Sequence, residues 1–141
     1  MSVKKGLVAG NFDLIHPGYV KLFEDARLNA CNYLIVALQG DPTIERPHKC
    51  KPVQTVKERE YILKSLKYVD EVIHYNTEKE LLEIVMKKCY DVRIIGDDYY
   101  NRDFTGKLFE KEVYYHKRNH KHSLSDLKKR IALQVKLQSG G

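Results

Sequence analysis

The segment at 33–38 is a continuous run of six apolar residues, and no other segment restricts the fold as strongly. A strand that is apolar on both faces must be covered on both sides, as strands of a parallel sheet are. The polar loop at 39–54, which contains three prolines, ends the element. The run therefore predicts a central strand of a sheet that carries helices on both faces.

Shorter apolar runs alternate with amphipathic segments along the rest of the chain. The strand-like runs are 6–10, 70–74, 92–96 and 112–116, and the helix-like segments are 18–29, 55–67, 77–88 and a basic stretch after 125. This alternation predicts an α/β fold: a Rossmann-like, doubly wound parallel sheet of about five strands flanked by helices. We expect a single domain over 1–141, with an ordered core at 1–136 and a frayed tail at 137–141.

Two of the predicted helices begin at residues with the spacing of a capping box. Thr55 is followed by Glu58, and Thr77 is followed by Glu80. In a capping box, the Thr side chain accepts from the third helical N–H while the Glu side chain accepts from the Thr N–H. Both helix starts are therefore specified locally.

The chain is basic, with a net charge of +6. A nucleic-acid partner is the first function class that such a charge suggests. However, the 19 acidic residues are spread along the chain, and much of the basic excess lies at 107–136. A basic surface around a small anionic substrate explains the charge equally well, so we expect no nucleic-acid partner.

The sequence also indicates a location. No run approaches the eighteen apolar residues of a membrane span, and the N-terminus has no signal-peptide core. Cys31, Cys50 and Cys89 lack metal-ligand spacing, which is typical of reduced thiols. We therefore expect a cytoplasmic protein without a membrane partner.

The turn after the first strand carries the chemistry. It contains Gly10, a lone His16, then Pro17 and Gly18 at a predicted helix start. Backbone amides at a helix start bind phosphate oxygens, and a histidine donates a hydrogen bond or neutralises charge there. No G-x-G-x-x-G or P-loop pattern is present. A loop histidine beside an ordinary helix cap is the alternative interpretation.

This turn, at 10–19, resembles the G-[small]-F-D-x-x-H-x-G-H signature of cytidylyltransferases, a branch of the nucleotidyltransferase superfamily. The resemblance continues in order along most of the chain, through 57–59, 68–72, the Gly-Asp-Asp-Tyr segment at 96–99, and a degenerate R-T-x-G-I-S-T-T segment at 118–125. The pattern is similar to small bacterial glycerol-3-phosphate cytidylyltransferases. It also resembles capsule-pathway phosphoglutamine cytidylyltransferases through 45–47 and 103–106.

The resemblance implies a reaction and its partners. The phosphate of a small metabolite would attack the α-phosphorus of CTP, giving a CDP-linked product and pyrophosphate. Mg²⁺ would accompany CTP, and a homodimer would be the assembly. Such chemistry needs positioning and charge neutralisation rather than a strong base.

The resemblance also implies roles for individual residues. The catalytic cations would be His16, Lys49, Lys51 and Arg118. The nucleotide would contact Gly10, Asn11, Phe12, Gly18, Tyr19, Arg59, Gly96, Asp97, Ser123 and Ser125. The phosphorylated substrate would contact Asp13, Lys21, Asp41 and His120. No residue is expected to be a resident metal ligand.

Simpler interpretations of these residues stay open. The two lysines could form a solvated charge run, Asp97 could be a turn residue, and the two serines could only cap the last helix. His120 and His122 have the spacing of a metal pair, but no third ligand is evident.

The chain departs from the family pattern at Tyr19, which replaces the second signature histidine. A phenol can hydrogen-bond a phosphate but cannot carry an imidazolium charge. A non-catalytic nucleotide-binding module is therefore one alternative to a cytidylyltransferase. Adenylyl transfer, as in other members of the superfamily, is the second. The acceptor also stays open between phosphoglutamine, glycerol 3-phosphate and phosphocholine-type compounds.

Overall fold

A computed structural model describes residues 2–139. The strands are β1 (Lys5–Gly10), β2 (Tyr33–Gln39), β3 (Glu71–Tyr75), β4 (Val92–Gly96) and β5 (Val113–His116). The helices are α1 (Pro17–Asp25), α2 (Val56–Ser65), α3 (Glu78–Lys87) and α4 (Leu124–Ser139). The five strands form one parallel sheet in the order β3-β2-β1-β4-β5. The predicted fold class is confirmed.

The central strand β2 is buried on both faces, as its sequence predicted. Leu34, Val36 and Leu38 pack on one face with Phe23 of α1 and Leu63 of α2. On the other face, Ile35 and Ala37 pack with Leu7, Tyr75 and the α3 residue Leu81. The sheet therefore has an apolar core on each side, and burial of each core stabilises the covering helices.

The helix ends agree with most of the predicted caps. Thr55 and Glu58 form the complete capping box. The Thr77 side chain accepts from the Glu80 N–H, but the Glu80 carboxylate accepts from the Asn76 N–H instead of completing the box. Ser123 caps α4 by accepting from the Asp126 N–H at 3.1 Å.

Two helices differ from their predicted limits. The last turn of the predicted helix at 18–29 is a π-helical turn over Ala26–Ala30, in which the Cys31 N–H donates to the Ala26 carbonyl at 2.9 Å. Helix α4 extends through Ser139, so 137–139 are helical rather than frayed, and 140–141 lie outside the described residues. None of the helices in the described range is long and apolar enough to cross a membrane.

The buried guanidinium of Arg59 ties α2 to the ends of two strands. Its Nη1 donates to the carbonyls of Asn11 at 2.8 Å and Gln39 at 2.6 Å, and its Nη2 donates to Gly40 at 2.6 Å. Its Nε donates to Gln54 at 3.1 Å. Arg59 is only 2% exposed, and its donors already bind backbone carbonyls, so it holds these turns in place; its expected contact with the nucleotide stays a prediction.

Asp13 makes the complementary contact with the same loop. Its carboxylate accepts from the Val53 N–H at 2.7 Å and the Gln54 N–H at 3.0 Å, and the residue is 1% exposed. Its oxygens hold the loop before α2, and the expectation that Asp13 contacts substrate stays a prediction. Together, Arg59 and Asp13 fix the positions of the turns that follow β1 and β2.

We expect Arg59→Gln to lower the free energy of unfolding by about 3 kcal/mol, because buried carbonyls would lose their donors. Urea denaturation measures this change. Lys57→Gln, on the exposed side of the same helix, is the control and should change stability by less than about 0.5 kcal/mol. Equal stability of the Arg59 variant and the parent would contradict the structural role of this residue.

Candidate nucleotide-binding site

The strand order places a crevice at the carboxyl ends of β1 and β4. The chain leaves β1 for β2 on one side, whereas β4 continues to β5 on the other, and ligands of such sheets bind at this reversal. A cavity of about 340 Å³ lies there between the β1–α1 turn and the segment that joins β5 to α4. Its walls include His16, Gly18, Tyr19, Arg118, His120 and Ser123. Gly96 and Ser125 also line it.

His16 presents one free nitrogen to this cavity. It is the N-cap of α1, and its Nδ1 accepts from the Gly18 N–H at 3.1 Å. Its Nε2 is buried without a hydrogen-bond partner. Burial lowers the pKa of His16, and the positive charges of His122, Arg118 and His120 lower it further. The ring is therefore neutral at pH 7, with its proton on Nε2 facing the cavity.

Gly18 permits the close packing of two imidazoles. A Cβ atom at this position would lie 2.8 Å from His16 Cε1 and 2.9 Å from His120 Cε1. Any larger residue would push the two rings apart. The glycine of the signature thus serves side-chain packing as well as the helix start.

Tyr19 is held by aromatic contacts. Its ring stacks on His16 with a centroid distance of 4.2 Å and meets the edge of Phe12 at 5.3 Å. Burial raises the pKa of Tyr19, and the Asp13 carboxylate raises it further, so the phenol is neutral. Phe12 is 4% exposed, and its φ of 47° turns the chain sharply after Gly10.

Asn11 has a local role in the same turn. Its side-chain Oδ1 accepts from the Asp13 N–H at 3.3 Å, and its carbonyl accepts from Arg59. A Cβ atom at Gly10 would lie 3.2 Å from Phe12 Cζ, so the small residue leaves space for that ring. These contacts shape the turn that carries His16.

The segment after β5 forms the opposite wall. Arg118 Nη2 donates to the His122 carbonyl at 2.6 Å, and His120 Nδ1 accepts from the His122 N–H at 3.2 Å. The first turn of α4, capped by Ser123, faces the same space. Burial is the largest cause that lowers the pKa of His120, and the positive charge of Lys21 is a smaller one. Lys21 therefore contributes positive charge at this edge.

His116 is a wall residue that the sequence interpretation missed. Its Nδ1 is 2.7 Å from the Asp25 carboxylate, and its Nε2 is buried without a partner. Burial alone would raise the pKa of Asp25, but hydrogen bonds from His116, Asn29 and Tyr114 lower it. The signal in the sequence was the place of His116 as the last residue of a predicted strand, at the binding edge of the sheet.

The Gly-Asp-Asp segment places a second aspartate beside the expected one. Asp97 and Asp98 are both exposed; Asp98 lines the cavity, and Asp97 begins a short 3-10 turn with its carbonyl accepting from the Tyr100 N–H. A Cβ atom at Gly96 would lie 2.6 Å from Asp98 Oδ1. The glycine thus leaves space for the Asp98 carboxylate, and the expected contact of Asp97 with the nucleotide stays a prediction.

Lys51 and Asp41 line a separate cavity of about 330 Å³ beyond β2. The Asp41 carboxylate caps a short turn by accepting from the Thr43 N–H at 2.9 Å. Hydrogen bonds from Thr43 lower the pKa of Asp41, and the charge of Lys51 contributes to the shift. Lys49 is exposed on the same loop, so neither lysine belongs to the walls around His16.

A third cavity, of about 760 Å³, adjoins the His16 cavity at Leu22 and Gly96. It opens toward α3 and the segment at 97–109. Within residues 2–139 no cluster of three or more His, Cys, Asp or Glu side chains could hold a metal ion. The cavity around His16 combines the Arg118 cation and several imidazoles with the Asp98 carboxylate.

The fold and this cavity define an α/β protein with a histidine- and arginine-lined cavity at its switch point. Residues 7–135 match the family model described as cytidylyltransferase-like. The chain is 33% identical over 130 residues to the glycerol-3-phosphate cytidylyltransferase of Bacillus subtilis strain 168, covering 92% of this chain and 98% of that protein. The chain belongs to the cytidylyltransferase-like family and is a nucleotidyltransferase.

A second curated relative and one solved structure are also similar to this chain. The FAD synthase of Ferroglobus placidus is 33% identical over 96 residues, which cover 68% of this chain and 60% of that protein. The crystal structure of a lipopolysaccharide core biosynthesis protein from Thermoplasma volcanium GSS1 superposes with a TM-score of 0.65, at 22% identity, over 82% of this chain and 98% of that one. The latter similarity supports the fold alone.

The contacts of His16 predict its titration. Side-chain NMR should show the Nε2–H tautomer and a midpoint below 6.5. Arg118→Gln should raise this midpoint, because a neighbouring positive charge is lost. An unchanged midpoint in that variant, or an Nδ1–H tautomer in the parent, would contradict the geometry described.

Proposed function

We propose that this protein is a CTP-dependent cytidylyltransferase that joins CMP to a small phosphorylated metabolite and releases pyrophosphate. The observation that carries the proposal is that His16, whose Nε2 is buried without a partner among the described residues, lines the same cavity as Arg118 and the first turn of α4. A buried donor without a partner is costly, and a phosphate oxygen would satisfy it. The relatives named above support the nucleotide class.

The reaction needs little from the protein beyond placement and charge neutralisation. An acceptor phosphate oxygen forms a bond to the α-phosphorus while the bond to the β-phosphate bridging oxygen breaks, and pyrophosphate leaves. His16 would donate its Nε2 proton in a hydrogen bond to a phosphate oxygen without giving it up. Arg118 would add its positive charge, and donors placed in advance are most effective where charge develops.

We place the nucleoside in the larger cavity that adjoins the His16 cavity at Leu22 and Gly96. Asp98 would then accept hydrogen bonds from hydroxyl or amino groups, since a carboxylate in an anion site needs a donor partner. The acceptor phosphate would approach from the opposite side, where Lys51 lines the cavity beyond β2. Lys49, on the same exposed loop, would add a second cation.

Glycerol 3-phosphate and phosphoglutamine are the acceptors that we favour, which would place the enzyme in cell-surface or capsule precursor synthesis. The first is supported by the name of the Bacillus relative. The second is supported by the resemblance of the segments 45–47 and 103–106 to those of capsule-pathway phosphoglutamine cytidylyltransferases. Both carry the phosphate monoester that the reaction requires as a nucleophile.

Magnesium would reach the site with the nucleotide. Mg²⁺ is commonly bound through substrate phosphates and water with few protein ligands, and the described residues offer no ligand cluster of their own. When bound, it would neutralise phosphate charge. The homodimer and the cytoplasmic location also stay predictions, and sizing in solution tests the first.

Two other functions have a specific observation behind them. Adenylyl transfer is favoured by the similarity to an FAD synthase. A non-catalytic nucleotide-binding role is favoured by Tyr19, whose neutral ring stacks on His16 where the signature has a second histidine.

A pyrophosphate-release assay distinguishes these functions. We expect turnover with CTP, Mg²⁺ and one of glycerol 3-phosphate, phosphoglutamine or phosphocholine. With ATP in place of CTP the rate should be at least about tenfold lower, which corresponds to about 1.4 kcal/mol of barrier difference. A preference for ATP would contradict the cytidylyl assignment. Tight CTP binding without turnover across the panel would favour the non-catalytic role.

His16→Asn is the informative variant in this assay. The Asn carbonyl oxygen can still accept from the Gly18 N–H, so the cap is retained while the cavity-facing nitrogen is removed. We expect kcat/KM to fall by about 100-fold or more. The loss of the stacking on Tyr19 should lower the unfolding free energy by only about 1 kcal/mol. His74→Gln is the matched control and should keep full activity. His74 is an exposed residue of β3 that pairs with Glu60 of α2.

A further inference from the structure

Two histidines that line the same cavity each have a buried ring nitrogen without a hydrogen-bond partner among the described residues. These nitrogens are Nε2 of His16, from the β1–α1 turn, and Nε2 of His116, at the end of β5. His116 is 8% exposed, so its nitrogen is withdrawn from bulk water. Two such groups in one cavity indicate a ligand that binds both.

The second nitrogen of each ring determines what Nε2 can do. His16 Nδ1 accepts from the Gly18 N–H, so its Nε2 carries the proton and donates in the neutral ring. His116 Nδ1 instead lies 2.7 Å from the Asp25 carboxylate, which has no proton to give. A neutral His116 must therefore keep its proton on Nδ1, and its Nε2 is then an acceptor.

An unprotonated Nε2 cannot form a hydrogen bond with a phosphate oxygen, because neither atom carries a proton. Protonation of Nε2 converts the ring into a donor on both sides, between the Asp25 carboxylate and the phosphate. Burial alone would raise the pKa of Asp25, but its hydrogen bonds, including the one from His116, lower it. The carboxylate therefore stays ionised. The geometry thus couples anion binding to the protonation of one ring.

We propose that His116 takes up a proton from solvent when the triphosphate of the nucleotide enters the cavity, and that it then binds the phosphates as an imidazolium. This inference rests on the proposed function. His116 would supply the charged second imidazole that Tyr19 cannot provide at the signature position. Asp25 is then a positioning residue that acts through His116.

Several other ionisable groups face this ring and contribute to its pH response. Asp25 belongs to α1, His16 to the turn before it, and Tyr114 to β5. The segment after β4 contributes Asp98, and the β5–α4 segment contributes Arg118, His120 and His122. His120 resembles His16 rather than His116, because its Nδ1 accepts from a backbone N–H. It can donate from Nε2 without taking up a proton.

Isothermal titration calorimetry in buffers of different ionisation enthalpy tests the proposal, with CTP and inorganic tripolyphosphate as probes. We expect net proton uptake on CTP binding, seen as a dependence of the binding enthalpy on the buffer, and a Kd that rises with pH. His74→Gln is the control and should match the parent.

Two variants separate the coupling from simple loss of folding. In Asp25→Asn, the amide can donate to His116 Nδ1, which makes Nε2 a donor in the neutral ring, as in His16. In His116→Gln, the side-chain amide donates without titrating. Both should bind CTP with no net proton uptake and with a Kd that stays flat from pH 7 to about pH 9. Thermal unfolding verifies that each is folded.

The outcomes distinguish this inference from the function on which it rests. CTP binding with undiminished proton uptake in both variants would overturn the role of His116 and leave the cytidylyltransferase proposal standing. A parent that takes up protons on binding tripolyphosphate or ATP but has no affinity for CTP would overturn the CTP assignment. Loss of that proton uptake in both variants would still support the role of His116. Binding by the parent without proton uptake would also overturn the inference.

Discussion

The buried Arg59 guanidinium is the interaction on which the site depends. Its donors bind carbonyls at the ends of β1 and β2 and at the start of α2, so three separate segments share one rigid reference point. Asp13 fixes the loop before α2 from the other side through two backbone N–H groups. Because strand ends are otherwise free to diverge, these contacts hold the β1 turn where His16 can face its cavity.

A second buried contact connects the two walls of that cavity. Asp25, at the end of α1, accepts from Tyr114 and His116 of β5, so the helix that begins at the His16 wall also holds the opposite wall. The π-helical turn begins immediately after Asp25, and such turns are frequent at functional sites. The same contact sets the hydrogen-bonding state of His116, which links the fold directly to phosphate chemistry.

The sequence predicted the elements that depend on periodicity and local chemistry. The apolar run at 33–38 indicated a strand buried on both faces, and Thr55 with Glu58 indicated a capping box. The backbone contacts of Arg59 and Asp13 could not be predicted, because a motif gives residue types but not which backbone groups pair with them. His116 was missed because its significance comes from Asp25, ninety-one positions away in the chain. Long-range pairing of this kind leaves no periodic signal.

The central claim is that nucleotide phosphates bind between the β1 turn and the β5–α4 segment. A crystal structure of the protein with CTP and Mg²⁺ tests it most directly. The account predicts phosphate oxygens within hydrogen-bond distance of Nε2 of both His16 and His116. Phosphates bound in the cavity of Lys51 and Asp41, with no ligand at either imidazole, would contradict it.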